Sequence, residues 1–175
     1  LHAHAATGTA WLVLLPVQAW LVRNRRFAVH RALGQAGVVV GIAFIATGLL
    51  SAQRWLTGLD AARFAREGGF LYLILGMTLM FAVALALGIR WRRSPAVHGR
   101  FMACTLLPLL DPVFGRLMGA NFPSLPAAFL YQLPALLAMA ATLAALALTL
   151  PRAAAGRSAF LAFAWASILL FVLFF

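Results

Sequence analysis

The sequence predicts an all-α chain that crosses a lipid bilayer several times, on three observations. Hydrophobic residues make up 65% of the 175 positions and charged residues 10%, against roughly 45–50% and about 25% in an average soluble domain. With 14 basic and 3 acidic side chains, a water-soluble fold of this length has too few charges to cover its surface while hiding so much apolar area. The apolar residues also fall in runs of about 20, the length that spans a hydrocarbon core as a helix. These features exclude a soluble enzyme and a disordered tail, and the single Cys104 excludes a disulfide scaffold.

Taken in order, the runs predict six spans, at 3–22, 31–51, 69–90, 99–119, 125–150 and 158–175. The first is not expected to be a cleavable signal peptide, since no basic region precedes it and a basic cluster follows it. The connections at 22–30, 90–98, 120–126 and 151–157 are short. The longest, 52–69, suits an amphipathic helix lying in the interface, with Trp55, Leu59 and Phe64 toward lipid. It also carries Asp60 and Glu67, two of the three acids.

All 14 basic residues are arginine. Arg23, Arg25, Arg26, Arg31, Arg90, Arg92, Arg93, Arg100, Arg152 and Arg157 fall on one side of the predicted membrane, and Arg54, Arg63, Arg66 and Arg116 on the other. The positive-inside rule puts the larger group in the cytoplasm and both termini outside. The net charge of +11 is thus distributed as topology signals and headgroup contacts, which argues against a nucleic-acid partner.

Two of the Arg-rich junctions read alike: RNRRFAVHRALG at 23–34 and RWRRSPAVHGRFM at 90–102. Each has an Arg cluster, then Ala-Val-His, then another Arg and a new span. Topology explains the arginines but not the shared Ala-Val-His. The match predicts two parallel hairpin repeats, 1–51 and 69–119, forming a four-helix bundle, with 125–175 as an added helical hairpin.

His30 heads a helical face that continues through Gly34, Gly37, Gly41 and Gly48. A stripe without side chains leaves a groove with two possible fillers: a neighbouring helix, or a flat macrocycle held by an axial histidine. His98 occupies the matching place in the second junction. Two imidazoles at equal depth on different helices suit bis-His ligation of one haem b, with Arg31 and Arg100 beside them to pair with propionates. The plainer role for each His is a hydrogen bond to a carbonyl or lipid phosphate. His4 continues a stripe with Gly8, Trp11 and Gln18, expected to face the bundle, whereas His2 points to the interface. Asp111, ahead of Pro112 and Arg116, joins His4 in an expected outer polar pocket, either a site for a proton, quinone or metal ion or a buried ion pair. The chain has no Walker loop, Cys-x-x-Cys, His-Glu-x-x-His or nucleophile elbow, so no enzyme class is assigned. The lack of Lys excludes a retinal Schiff base.

The residues His4 (or His2), Gln18, His30-Arg31-Ala32-Leu33-Gly34 and His98-Gly99-Arg100-Phe101-Met102 resemble the pattern of a broad family of uncharacterised bacterial membrane proteins. The resemblance covers about residues 1–118, and Asp111 departs from it where a neutral residue is expected. The pattern is similar in layout to membrane b-type cytochromes with paired His ligands. It implies a bacterial inner-membrane location and candidate ligands, with Gln18 among the site residues, but no reaction. Three functions follow as expectations: a haem b protein passing electrons to or from a quinone or partner protein; a cofactor-free structural or accessory subunit of a larger membrane complex; and a small transporter using the His4, Asp111 and Arg116 pocket.

Overall fold

The computed structural model describes residues 2–122, 137, 139–141, 144, 148 and 157–173. Their regular structure is helical: α1 His2–Arg23, α2 Phe27–Thr57, α3 Ala61–Glu67, α4 Phe70–Arg90, α5 Pro95–Cys104, α6 Leu107–Asn121 and α7 Arg157–Val172. Of these, α1, α2 and α4 are long and apolar enough to cross a membrane. The expected span at 125–150 lies almost wholly outside the described residues. The chain divides into two compact units, 1–85 and 86–175.

In the first unit, α1 and α2 pack as a helical hairpin. The turn between them is much tighter than the nine-residue junction expected from sequence, because α2 begins at Phe27 and takes Ala28, Val29 and His30 into its first turn. A Schellman closure makes this possible. The Arg26 amide donates to the Leu21 carbonyl (2.9 Å) and the Arg25 amide to that of Val22 (3.0 Å), which satisfies two carbonyls that a helix end otherwise strands. The geometry needs a left-handed residue, and Arg25 supplies it at φ 57°. The other end of α2 runs past the expected boundary at 51 to Thr57. Its 31 residues make it about 46 Å long, longer than a hydrocarbon core of roughly 30 Å.

That extension consumes the first third of the segment expected to lie as one interfacial helix. What remains is the seven-residue α3, started by Asp60, whose Oδ1 accepts from the Arg63 amide at 2.7 Å. Phe64 is exposed, as expected for lipid contact, while Trp55 and Leu59 are half-buried. The Phe70–Leu85 part of α4 completes the unit. Its buried residues Leu73, Met77, Met80, Phe81, Ala84 and Leu85 recur at the three- and four-residue spacing of one helical face.

The second unit holds the main departure from the expected spans. A single span at 99–119 is replaced by α5 and α6, separated at Thr105 and Leu106. Pro108 is the physical reason. It has no N–H for the Cys104 carbonyl, and its ring crowds that carbonyl, so an uninterrupted helix through this point is disfavoured. The chain tightens instead: Thr105 and Leu106 donate to Met102 (3.2 Å) and Ala103 (3.0 Å), and the buried Thr105 hydroxyl adds a 2.6 Å bond to the Met102 carbonyl. Pro108 then sits in the first turn of α6, where its missing donor does no harm. Pro112, by contrast, lies inside α6 without ending it. Helix α5 packs against α7, and α7 covers most of the expected span at 158–175.

Arg25 is the one non-glycine residue at positive φ among those described, and a left-handed conformation costs an L-residue about 1–2 kcal/mol. Arg25→Gly is therefore expected to stabilise the folded protein by roughly 1 kcal/mol, read as a raised unfolding midpoint in detergent. Arg23→Gly, at a helical position, should lower it.

Candidate functional site at the glycine-lined hairpin

The stripe that begins at His30 is the inner face of α2: Gly37, Gly41 and Gly48 are buried and Gly34 half-buried. Side chains fill the space the glycines leave. A Cβ on Gly37 would stand 2.6 Å from Leu14 Cδ2, and one on Gly41 would stand 2.8 Å from Leu85 Cδ2 and 3.1 Å from the Trp11 ring. A Cβ on Gly48 would likewise stand 3.1 Å from the His4 ring, one on Gly34 3.6 Å from the Gln18 amide nitrogen and, reciprocally, one on Gly8 3.1 Å from the Phe44 ring. The groove is thus occupied along its length by α1, with Leu85 of α4 closing it at Gly41.

Large rings exploit this close approach. His4 stacks on Phe44 with centroids 4.6 Å apart and planes 16° apart. Phe44 meets Phe81 at 4.9 Å, and Phe81 meets Trp11 edge-on at 5.3 Å and 68°. Trp11 and Phe81 are 1% and 0% exposed. Each such ring pair contributes about 0.5–1.5 kcal/mol beyond burial.

At the His30 end, the Gln18 amide is oriented by its hydrogen bonds. Its nitrogen donates to His30 Nδ1 and to the His30 carbonyl (3.2 Å), and its oxygen accepts from the Gly34 amide (2.9 Å). Gln18 therefore grips both ends of one helical turn of α2, and glycine at 34 leaves room for it. Because Nδ1 accepts, the neutral imidazole carries its proton on Nε2. Neither ring nitrogen in that state offers a lone pair to iron.

His98 has the opposite tautomer. Its Nδ1 lies 2.7 Å from the Gly88 carbonyl, which can only accept, so Nδ1 carries a proton and, in the neutral ring, Nε2 the lone pair. Metal-ligating histidines use this arrangement, with a carbonyl fixing the ring through the far nitrogen. It is equally a helix cap, since Gly88 lies in the last turn of α4 and its carbonyl needs a donor. Gly88 also admits Met102, whose sulfur would lie 2.7 Å from a Cβ there. His30 and His98 each sit fourth in their helices, after Phe27 and Pro95 respectively, so the repeated Ala-Val-His has the same register in both. His30 belongs to the first unit and His98 to the second.

The remaining expected residues divide as follows. Arg31 is exposed and Arg100 half-buried. Arg26 lies over Trp20 at 5.3 Å and Arg90 over Trp91 at 5.6 Å, cation–π pairs that suit the headgroup level. His2 is exposed. His4 is engaged within the first unit, with Nδ1 3.4 Å from Thr47 Oγ1 and that hydroxyl 3.2 Å from Thr7 Oγ1. The side chains of Asp111 and Arg116 lie outside the described residues. Among the described residues no group of three His, Cys, Asp or Glu gathers to hold a metal ion. Sequence reasoning missed Leu14, Phe44, Thr47, Phe81 and Gly88. Of these only the two glycine partners, Leu14 and Phe44, had a signal in the pattern, through their positions on faces shared with Gln18 and Gly48. No family model, curated protein or solved structure matches the chain.

Gly41→Val is expected to cost about 1–3 kcal/mol, the range for overpacking a filled core. Gly99→Ala, where a Cβ meets nothing within 4 Å, should instead stabilise by roughly 0.5–1 kcal/mol through helix propensity. Paired unfolding curves in one detergent check both.

Proposed function

We propose that this chain is a cofactor-free, multi-pass helical subunit of the bacterial inner membrane that serves a structural or accessory role in a larger membrane complex. In this reading six spans cross the bilayer, the fourth of them broken between α5 and α6, with both termini outside and the Arg-rich turns facing the cytoplasm. The observation that carries the proposal is the filled glycine groove: Leu14, Trp11, Gln18, His4 and Leu85 stand where a macrocycle edge would need to enter. The polar groups of the hairpin support it too, because Gln18 and Thr47 are spent on helix-to-helix hydrogen bonds rather than gathered around a cavity.

A second reading keeps haem b, with electron transfer to a quinone or partner protein. One observation favours it, the His98 tautomer, which leaves Nε2 as the ligating nitrogen. For His30 to join as second ligand, Gln18 would have to turn its amide so that its oxygen accepts from Nδ1, and the α1 side chains would have to leave Gly34, Gly37 and Gly41.

A reduced-minus-oxidised visible spectrum of the purified protein tests the choice. The expected result is no Soret band, with His30→Ala and His98→Ala lowering the unfolding midpoint and leaving the spectrum unchanged. A Soret band lost in both variants would overturn the proposal in favour of haem. In native gels of solubilised membranes, the subunit should migrate well above its 18.8 kDa.

A further inference from the structure

In the second unit two arginines are placed where a cation is costly. Arg100 is half-buried in α5, and its Nη1 is sealed from solvent without a hydrogen-bond partner. Arg157, the first residue of α7, has its Nε in the same condition. The two helices that carry them pack against each other.

The chain has few acids with which to answer these charges. Residues 86–175 contain seven arginines and one carboxylate, Asp111. Asp111 is eleven residues beyond Arg100, across the helix break. A buried guanidinium N–H without an acceptor is costly, and an anion from outside the chain relieves that cost. Planar guanidinium donors match phosphate oxygens. In the topology proposed above, on which this step rests, both residues lie on the Arg-rich side, where the bilayer itself supplies phosphodiesters.

We infer that Arg100 and Arg157, carried on the packed helices α5 and α7, form a binding site for the phosphodiester of an anionic phospholipid. The lipid satisfies the two sealed nitrogens and neutralises charge that this unit leaves unbalanced. The inference does not depend on whether haem is bound.

The test compares unfolding midpoints of detergent-purified, delipidated protein after adding phosphatidylglycerol, phosphatidylcholine with the same acyl chains, or inorganic phosphate. Phosphatidylglycerol is expected to raise the midpoint by several degrees and the other two by much less. Arg100→Gln with Arg157→Gln should remove at least half of that shift, while Arg54→Gln, in the first unit, should keep it. An equal shift with phosphatidylcholine, or a full shift in the double variant, would overturn the site. An equal shift with inorganic phosphate would overturn the lipid as its ligand. If the double variant does not fold, native mass spectrometry of the wild-type protein decides. Retention of phosphatidylglycerol over an equimolar amount of phosphatidylcholine supports the site, and equal retention of both refutes it.

Discussion

The first unit depends on how closely α1 can approach α2. Between helices surrounded by lipid there is no hydrophobic gain from association, because the chains of the bilayer are as apolar as leucine. What remains is dispersion, which is short-ranged and falls away with a gap of less than an ångström. Gly37 and Gly41 let Leu14 and Trp11 sit on the backbone of α2 itself. Trp11 then reaches Phe81, and through it the ring contacts extend to Phe44 and His4. A side chain on either glycine would push α1 outward and break this series at its middle.

A second constraint governs where the polar residues go. In an apolar medium each unpaired backbone N–H or C=O costs several kcal/mol, and every interruption of a helix exposes some. Among the described residues, three of these interruptions are answered locally. The Schellman turn serves the end of α1, His98 serves the end of α4, and the Thr105 hydroxyl serves the break ahead of Pro108. Gln18 reinforces the first turn of α2. This accounting gives His30 and His98 structural work that does not involve iron, and it explains why both stand at the start of a helix, beside the end of the preceding one.

Much of this was legible in the amino-acid pattern, and the reasons differ by element. The ends of α1 and α4 follow from apolar run length closed by Arg23 and Arg90, a signal set by bilayer thickness. The inward face of α1, with Gly8, Trp11 and Gln18, follows from helical periodicity. The split of α5 from α6 had a signal too, in Pro108, but a hydropathy window averages over a single residue whose effect is conformational. The length of α2 was hidden because its first turn, Phe27–His30, follows directly on Arg and Asn residues that suit a loop, and its last turns carry a Gln-Arg-Trp stretch that suits one too.

The sequence by itself determined that the chain is helical and apolar enough for a membrane, since composition and run length alone set the cost of leaving those residues in water. It also determined which face of α2 lacks side chains. What occupies that face was decided only by the tertiary structure, because a glycine stripe states how much room exists and not what enters it. The roles of the two histidines were likewise a tertiary matter. An imidazole can donate or accept at either nitrogen, and only the partner, an amide of Gln18 or a carbonyl of Gly88, selects which.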